Sequence, residues 1–193
     1  AALVGISLST KIGSACYIPI GHKKGKCLNQ EKVIKKLKPI LEDESIKKIG
    51  QNIKFDFIVL KHRGIKMNSM EDTMLMSYVL DAGKNRHNMD ILSEIHLNHK
   101  TITFKDLVGS GKKEINFSEV EINKAMRYAA EDADITYRLY KIFQKNLKLE
   151  KLINIYELFE KPLIEILANM EISGIKVDSS FLENLSIKFD NKI

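Results

Sequence analysis

Two short segments carry the residue types that metal-dependent chemistry needs. The first is Gly50-Gln51-Asn52-Ile53-Lys54-Phe55-Asp56. A strand leads into a helix here, and Asp56 falls in the helix's first turns, where the helix dipole stabilises a carboxylate. That position suits a simple helix-start residue as well as a ligand. The second segment is Tyr128-Ala129-Ala130-Glu131-Asp132-Ala133-Asp134-Ile135-Thr136. Tyr128 and Asp132 are four apart and therefore neighbours on a helix surface. Asp132 borders an apolar stripe, so it can face a cleft while its helix packs on a sheet. Glu131, Asp132 and Asp134 repel one another unless a cation neutralises them or solvent screens them. Glu131 reads as part of an exposed acidic patch and Asp134 as a local cap or ion-pair partner. His22, His87, His96 and His99 have no metal-ligand spacing. His96 reads as a core histidine on an apolar helix face.

The elements that must position these residues follow from periodicity. Leu3–Ser9 and Ser14–Ile20 alternate apolar with small or polar residues about a Gly13 turn, which predicts a hairpin. Residues 22–25 form a basic loop. Glu31–Leu41 is an amphipathic helix interrupted late by Pro39. A short strand over Lys47–Gly50 leads into a helix from Asn52 to His62, ended by Gly64. Further helices are expected over Asp72–Leu80 and Asn88–Leu97, the second with Met89, Leu92 and Ile95/His96 inward. Lys100–Lys113 reads as loop. Ser118 with Glu121 three residues on has the capping-box pattern and predicts a helix running to about Leu147. Its inward stripe is Ile122, Ala125/Met126, Ala129 and Ala133. A second helical stretch, Leu149–Ile172, contains Pro162 and precedes Ser173–Asp178 and a final helix.

At 193 residues the chain can bury a sizeable core, and 44% hydrophobic with 29% charged residues is globular composition. No apolar run approaches the roughly 18–20 residues that span a bilayer, so no membrane partner is expected. Cys16 and Cys27 read as free cytosolic thiols, and the chain as cytoplasmic. The net charge of +6 permits a polyanionic partner. Most of it is lysine, which reads as a solvated surface.

Taken together, the segments resemble a family. Gln51-Asn52-x-x-Phe55-Asp56 is similar to the second motif, and Tyr128-x-x-x-Asp132 to the third motif, of proofreading exonucleases of the DnaQ-like superfamily. The similarity is closest to the 3′→5′ exonuclease domain of family A (DNA polymerase I type) polymerases. Tyr17-Ile18-Pro19-Ile20, Leu37-Lys38-Pro39-Ile40-Leu41, Asp72-Thr73-Met74-Leu75, Arg86-His87-x-Met89-Asp90 and His99 through Phe104 fall in that family's order and spacing. Glu160-x-Pro162-Leu163, Met170-Glu171 and Gly174-Ile175-x-Val177-Asp178 resemble the start of its polymerase domain.

The resemblance implies an α/β, ribonuclease-H-like fold: a mixed sheet flanked by helices over residues 1–147, then the helical beginning of a polymerase domain over 148–193. It implies two divalent ions, Mg²⁺ or Mn²⁺, that drive hydrolysis of the 3′-terminal nucleotide. Asp132 would ligate the first ion and Asp56 the second, with Tyr128 orienting the attacking water. Gln51 and Asn52 would contact the terminal nucleotide of a single-stranded DNA 3′ end, Arg86 the phosphate backbone, and Phe104 the terminal bases by stacking. The polymerase domain of the same parent chain would be the other partner.

The family's first motif, an Asp-x-Glu pair on the first strand, has no counterpart in this sequence; its place falls just ahead of Ala1, and the first acidic residue is Glu31. The resemblance therefore implies a sheet without its first strand and a fragment with weak or no activity of its own. Two other readings compete: a ribonuclease D-like RNA exonuclease, against which the tail from Glu160 to Asp178 argues, and an inactive exonuclease-like scaffold, against which intact Asp56, Tyr128 and Asp132 argue.

Overall fold

The structure is a computed structural model that describes residues 3–111 and 114–192. β1 (Gly5–Lys11) and β2 (Ser14–Pro19) form an antiparallel hairpin with a register shift between Ser9 and Lys11. Gly13 turns it with φ 75°, a conformation that only glycine adopts at little cost. The hairpin tip is pinned from a distance: the Gly13 N–H donates to Asp134 Oδ1 at 2.6 Å. Asp134 also pairs with Arg138 one turn on, so both of the roles open to it are local and long-range bonds of structure.

After α1 (Gln30–Glu42), a second strand pair forms: β3 (Lys48–Gly50) lies parallel to β4 (Met70–Asp72), with α2 (Ile53–Lys61) as the crossover. Parallel strands need such a connection, since no tight turn can reverse the chain between them. Among the described residues the two ladders are not hydrogen-bonded to each other. The mixed sheet is thus present as two separate pairs, β1-β2 and β3-β4.

The helices α3 (Thr73–Asp81), α4 (Met89–Leu97), α5 (Phe104–Val108) and α6 (Ile122–Leu149) follow. α6 has neither Gly nor Pro along its length and spans both halves of the molecule. It packs on β1 and β2 with its first half and on α3 and α4 with its second. Beyond it lie α7 (Ile153–Ile155), a π-turn over Tyr156–Glu160, α8 (Lys161–Ser173) and α9 (Ser179–Asp190).

Two cores result. One gathers Leu41, Ile53, Phe57, Leu60, Ile65 and Met67 with Ile164 and Ala168 of α8. The other gathers Met76, Leu92 and the α6 residues Ile135, Leu139, Phe143 and Leu147 with Tyr156. The segment after residue 148 therefore supplies buried side chains to both cores, whereas α9 supplies none. No helix among the described residues is long and apolar enough to cross a membrane.

Several expected boundaries move. The helix expected from Ser118 begins instead at Ile122. The box is built by Asn116 and Glu119 around a short 3₁₀ turn, Phe117–Glu119. Asp72 ends a strand and caps α3 rather than starting its first turn. α5 lies inside the stretch read as loop, and its Thr103–Asp106 capping box is too short a signal to show as periodicity. Lys112 and Lys113, the end of that stretch, lie outside the described residues. Ile95 is half exposed, so the inward face of α4 is Met89, Leu92 and His96, whose ring meets Phe143 edge-on at 4.9 Å. Cys16 and Cys27 are both free.

Candidate active site

The site begins with a left-handed residue. Asn52 has φ 59° and ψ 48°, a conformation that asparagine tolerates better than most residues. It ends β3 and turns the chain into α2, but its own side chain makes no capping bond. The cap comes from a distance. Asp72 Oδ1 accepts from the Asn52 N–H at 3.0 Å, and Oδ2 from the Ile53 N–H at 2.9 Å. Oδ1 also accepts from the Met74 N–H at 2.8 Å, so one buried carboxylate starts both α2 and α3. Burial raises its pKa against these bonds. The sequence places Asp72 in a family motif but does not reveal this double role, because the partners are some twenty residues away in the chain.

With α2 held this way, Asp56 sits one turn inside it and looks into a cleft of about 400 Å³. Across the cleft stand Tyr128 and Asp132 of α6; Asn52, Phe55 and Phe104 complete its mouth. A second cleft, continuous with it through Asp56, Tyr128 and Asp132, opens between Ser7 of β1 and Ile49 and Gly50 of β3. The two carboxylates thus face one space from different elements.

Their electrostatics agree with a site that lacks counter-charge. Asp132 Oδ1 is buried with no hydrogen-bond partner. Burial pushes the pKa of Asp132 from the ordinary 3.8 up to about 7; the Tyr128 hydroxyl offsets part of this, while Glu131 and Asp90 add to it. Asp56 rises to about 6, first through loss of surrounding water and then through the charge of Asp72. Asp56 is nonetheless an exposed residue on the cleft wall, so its rise is held more weakly than that of Asp132. Tyr128 is pushed far above its usual range by burial and by Asp132, so it stays neutral. A buried carboxylate oxygen without a donor is where a cation or a proton is favoured. Oxygen donors of this kind suit Mg²⁺ or Mn²⁺. Among the described residues no cluster of three or more His, Cys, Asp or Glu forms a metal cage.

One wall of the cleft is aromatic. Phe104 and Phe117 stack with centroids 5.9 Å apart and planes 18° from parallel, and both meet Tyr128 edge-on at 6.3 and 6.2 Å. Phe104 is about half exposed (48%), so it is not core. Behind it, Tyr17 lies directly over Gly5, where any Cβ would collide with the Tyr17 ring. The Tyr17 hydroxyl bonds His22 Nε2 at 2.7 Å, and His22 Nδ1 donates to the Val120 carbonyl at 3.1 Å. His22 is therefore a buried strut rather than part of a basic surface. Neither Phe117 nor Tyr17 belongs to a spaced acidic motif; Tyr17 enters only as part of the Tyr17–Ile20 resemblance, and Phe117 has no sequence signal.

Other candidates sit elsewhere or are engaged differently. Gln51 lines the cleft, but its amide donates to the His87 carbonyl at 2.7 Å and accepts from the Thr73 hydroxyl. Arg86 is exposed in a separate hollow with Tyr78, His87 and Glu160. Lys23 pairs with Glu119 at 2.9 Å. Glu131 is not an exposed patch: with 20% of its side chain exposed, it accepts from the Ile102 N–H at 2.7 Å and bonds His99 Nε2 at 2.8 Å. That carboxylate anchors the segment leading to Phe104.

Comparison with known proteins meets this geometry. A family model described as 3′-5′ exonuclease, that of the family A DNA polymerases, matches residues 1–148. DNA polymerase I of Rhizobium leguminosarum is 44% identical over 96% of this chain and 20% of its own length. That of Pseudomonas aeruginosa is 39% identical over 94% of this chain and 21% of its own. The chain thus spans about a fifth of these relatives. Among solved structures, the POL domain of Pol1 from M. smegmatis aligns with TM-score 0.70 at 20% identity, covering 93% of this chain and 27% of that one. Brucella melitensis NrnC with bound Mg²⁺ aligns with TM-score 0.66 at 22% identity, covering 91% and 79%. These likenesses at low identity establish a shared fold. Placed beside the family match and the polymerase relatives, they show that the chain belongs to the 3′-5′ exonuclease family of the family A DNA polymerases.

Proposed function

We propose that the cleft between α2 and α6 removes the 3′-terminal nucleotide from single-stranded DNA, as the proofreading unit of a cytoplasmic DNA polymerase I. The observation that carries this is the buried, partnerless Asp132 oxygen facing Asp56 across one cleft. Asp132 and Asp56 are the residues that would hold divalent cations. Such cations, when bound, activate water and stabilise the leaving 3′ oxygen. The chain's own residues do the rest. Tyr128 stays neutral and can only donate or accept a hydrogen bond, so it orients water without deprotonating it. Phe104, backed by Phe117, offers the terminal base a face that accepts any base. Asn52 presents its free side-chain amide at the cleft mouth. Gln51, with its amide engaged, serves mainly to hold the rim. Arg86 receives the phosphate backbone beyond that rim, outside the cleft.

Two carboxylates are too few to offset the repulsion between two adjacent cations. We therefore expect the 193-residue chain to be weakly active or inactive. A chain that adds an Asp-x-Glu strand between β1 and β3, where the ladders are unjoined, should be active. The test is nucleotide release from a 3′-labelled single strand with Mg²⁺ or Mn²⁺, using both chains, Asp132→Ala in the longer one, and DNA against RNA of equal sequence. Full activity of the short chain, or activity surviving Asp132→Ala, would overturn the assignment. Preference for RNA would favour the ribonuclease D-like reading.

A further inference from the structure

We infer that Tyr156, in the π-turn that follows the matched exonuclease segment, is a positioning residue for the Asp56 side of the site. This rests on the proposed role of Asp56. Its geometry is a chain of buried hydrogen bonds from the later segment into the cleft. The Tyr156 side chain is fully buried. Its hydroxyl accepts from the Asp72 backbone N–H at 3.0 Å and donates to Glu71 Oε2 at 3.0 Å. Glu71, itself 2% exposed, takes Lys161 Nζ on its other oxygen at 3.0 Å and Lys47 Nζ at 3.3 Å. Tyr156 and Lys161 thus fix the end of β4 from both sides.

What they fix is the residue that caps α2. The Asp72 carboxylate supplies the bonds that the Asn52 and Ile53 N–H groups find in no nearer side chain. A rotation of Asp72 would release the first turn of α2, and with it Asn52, Phe55 and Asp56. The same later segment holds the far side of α2. Ile164 and Ala168 share a core with Ile53 and Phe57, Lys54 pairs with Glu171, and Lys61 donates to Asn169. A buried N–H that loses its partner is costly, which gives the tyrosine hydroxyl a role that a phenylalanine of equal shape cannot fill.

The test is amide hydrogen exchange on the chain as it is, comparing Tyr156→Phe with Tyr140→Phe. Tyr140 is a buried tyrosine in the same core; its hydroxyl accepts from Gln144 and lies beside Lys47, and it bonds neither the Asp72 N–H nor Glu71 itself. Tyr156→Phe should speed exchange at Asn52, Ile53, Asp72 and Met74 up to about tenfold, while Tyr140→Phe leaves those amides within about twofold. If Tyr156→Phe does not fold, Lys161→Met removes one leg of the same network and should speed the same amides about threefold. Unchanged exchange at those amides, or acceleration spread evenly over the chain, overturns the inference. Mn²⁺ affinity supplies the second arm, and Tyr156→Phe should weaken it severalfold. Mn²⁺ binding unchanged in Asp56→Asn would refute the role of Asp56, while the exchange comparison still decides that of Tyr156.

Discussion

Replacing Asp132 with Asn should flatten the pH dependence of the chain's stability when no cation is present. Asp132 titrates near 3.8 when exposed and near 7 in the fold. Its folded pKa is raised, so the folded state binds more protons than the unfolded state between those values. Stability must then fall as pH rises from about 4 through 7. At about 1.36 kcal/mol per pKa unit, the full interval corresponds to about 4 kcal/mol. Asp132 is only half-buried, and solvent screening reduces this to about 2 kcal/mol. For a chain of this size that is about 4–8 °C in Tm. The assay is thermal melting at pH 5 and pH 8 with EDTA, for the wild type and Asp132→Asn. Those two pH values span about 60% of the interval, so the wild type should lose about 1 kcal/mol, or about 2–4 °C, more between them. Mg²⁺ at pH 8 should restore it in the wild type alone. An identical pH slope in the two proteins would refute the reasoning, because Asp132 would then be as well hydrated in the fold as out of it.

Other outcomes follow from the same geometry. Phe104→Ala should weaken single-strand binding by about 1–3 kcal/mol, the worth of one stacked base, read by fluorescence anisotropy. Lys24→Ala with Lys26→Ala should reduce the salt slope of that binding by about 1–2, while Lys23→Ala, whose charge already meets Glu119, should change it less. Deleting residues 179–193 should leave stability within about 1 kcal/mol, because α9 buries nothing. Deleting 153–193 strips Tyr156, Ile164 and Ala168 from two cores and should cost about 5 kcal/mol or more by denaturant unfolding.

Much of the site was legible in the sequence because its residues sit in local patterns. A strand-to-helix junction with Gln51, Asn52 and Asp56, and a one-turn Tyr128–Asp132 pair, are short-range signals, and both lie on the elements expected. What escaped was long-range. Asp72 caps α2 across the β3–β4 ladder, Glu131 bonds backbone some thirty residues away, and Phe117 reaches the cleft from a three-residue turn. None of these leaves a periodic trace. Ser118 and Glu121 satisfy the capping-box spacing, yet the box that forms is Asn116 with Glu119 around the 3₁₀ turn, and α6 starts without a side-chain cap. Spacing proposes partners, and backbone direction selects them. Motifs alone mark the later segment as the start of another domain. Its buried Tyr156 and Ile164 were not foreseen, because an apolar helix face does not say which surface it covers.

The central claim, that Asp56 and Asp132 form a cation-binding nuclease site, is tested most directly by titrating Mn²⁺ into the isotopically labelled chain and mapping paramagnetic broadening by NMR. Broadening should centre on Asn52–Asp56 and Tyr128–Asp132, grow stronger as pH rises from 5 to 7 because the cation displaces a proton, and vanish in Asp132→Asn. Broadening centred on the acidic run Glu42–Glu44 instead, or unchanged in Asp132→Asn, would contradict it.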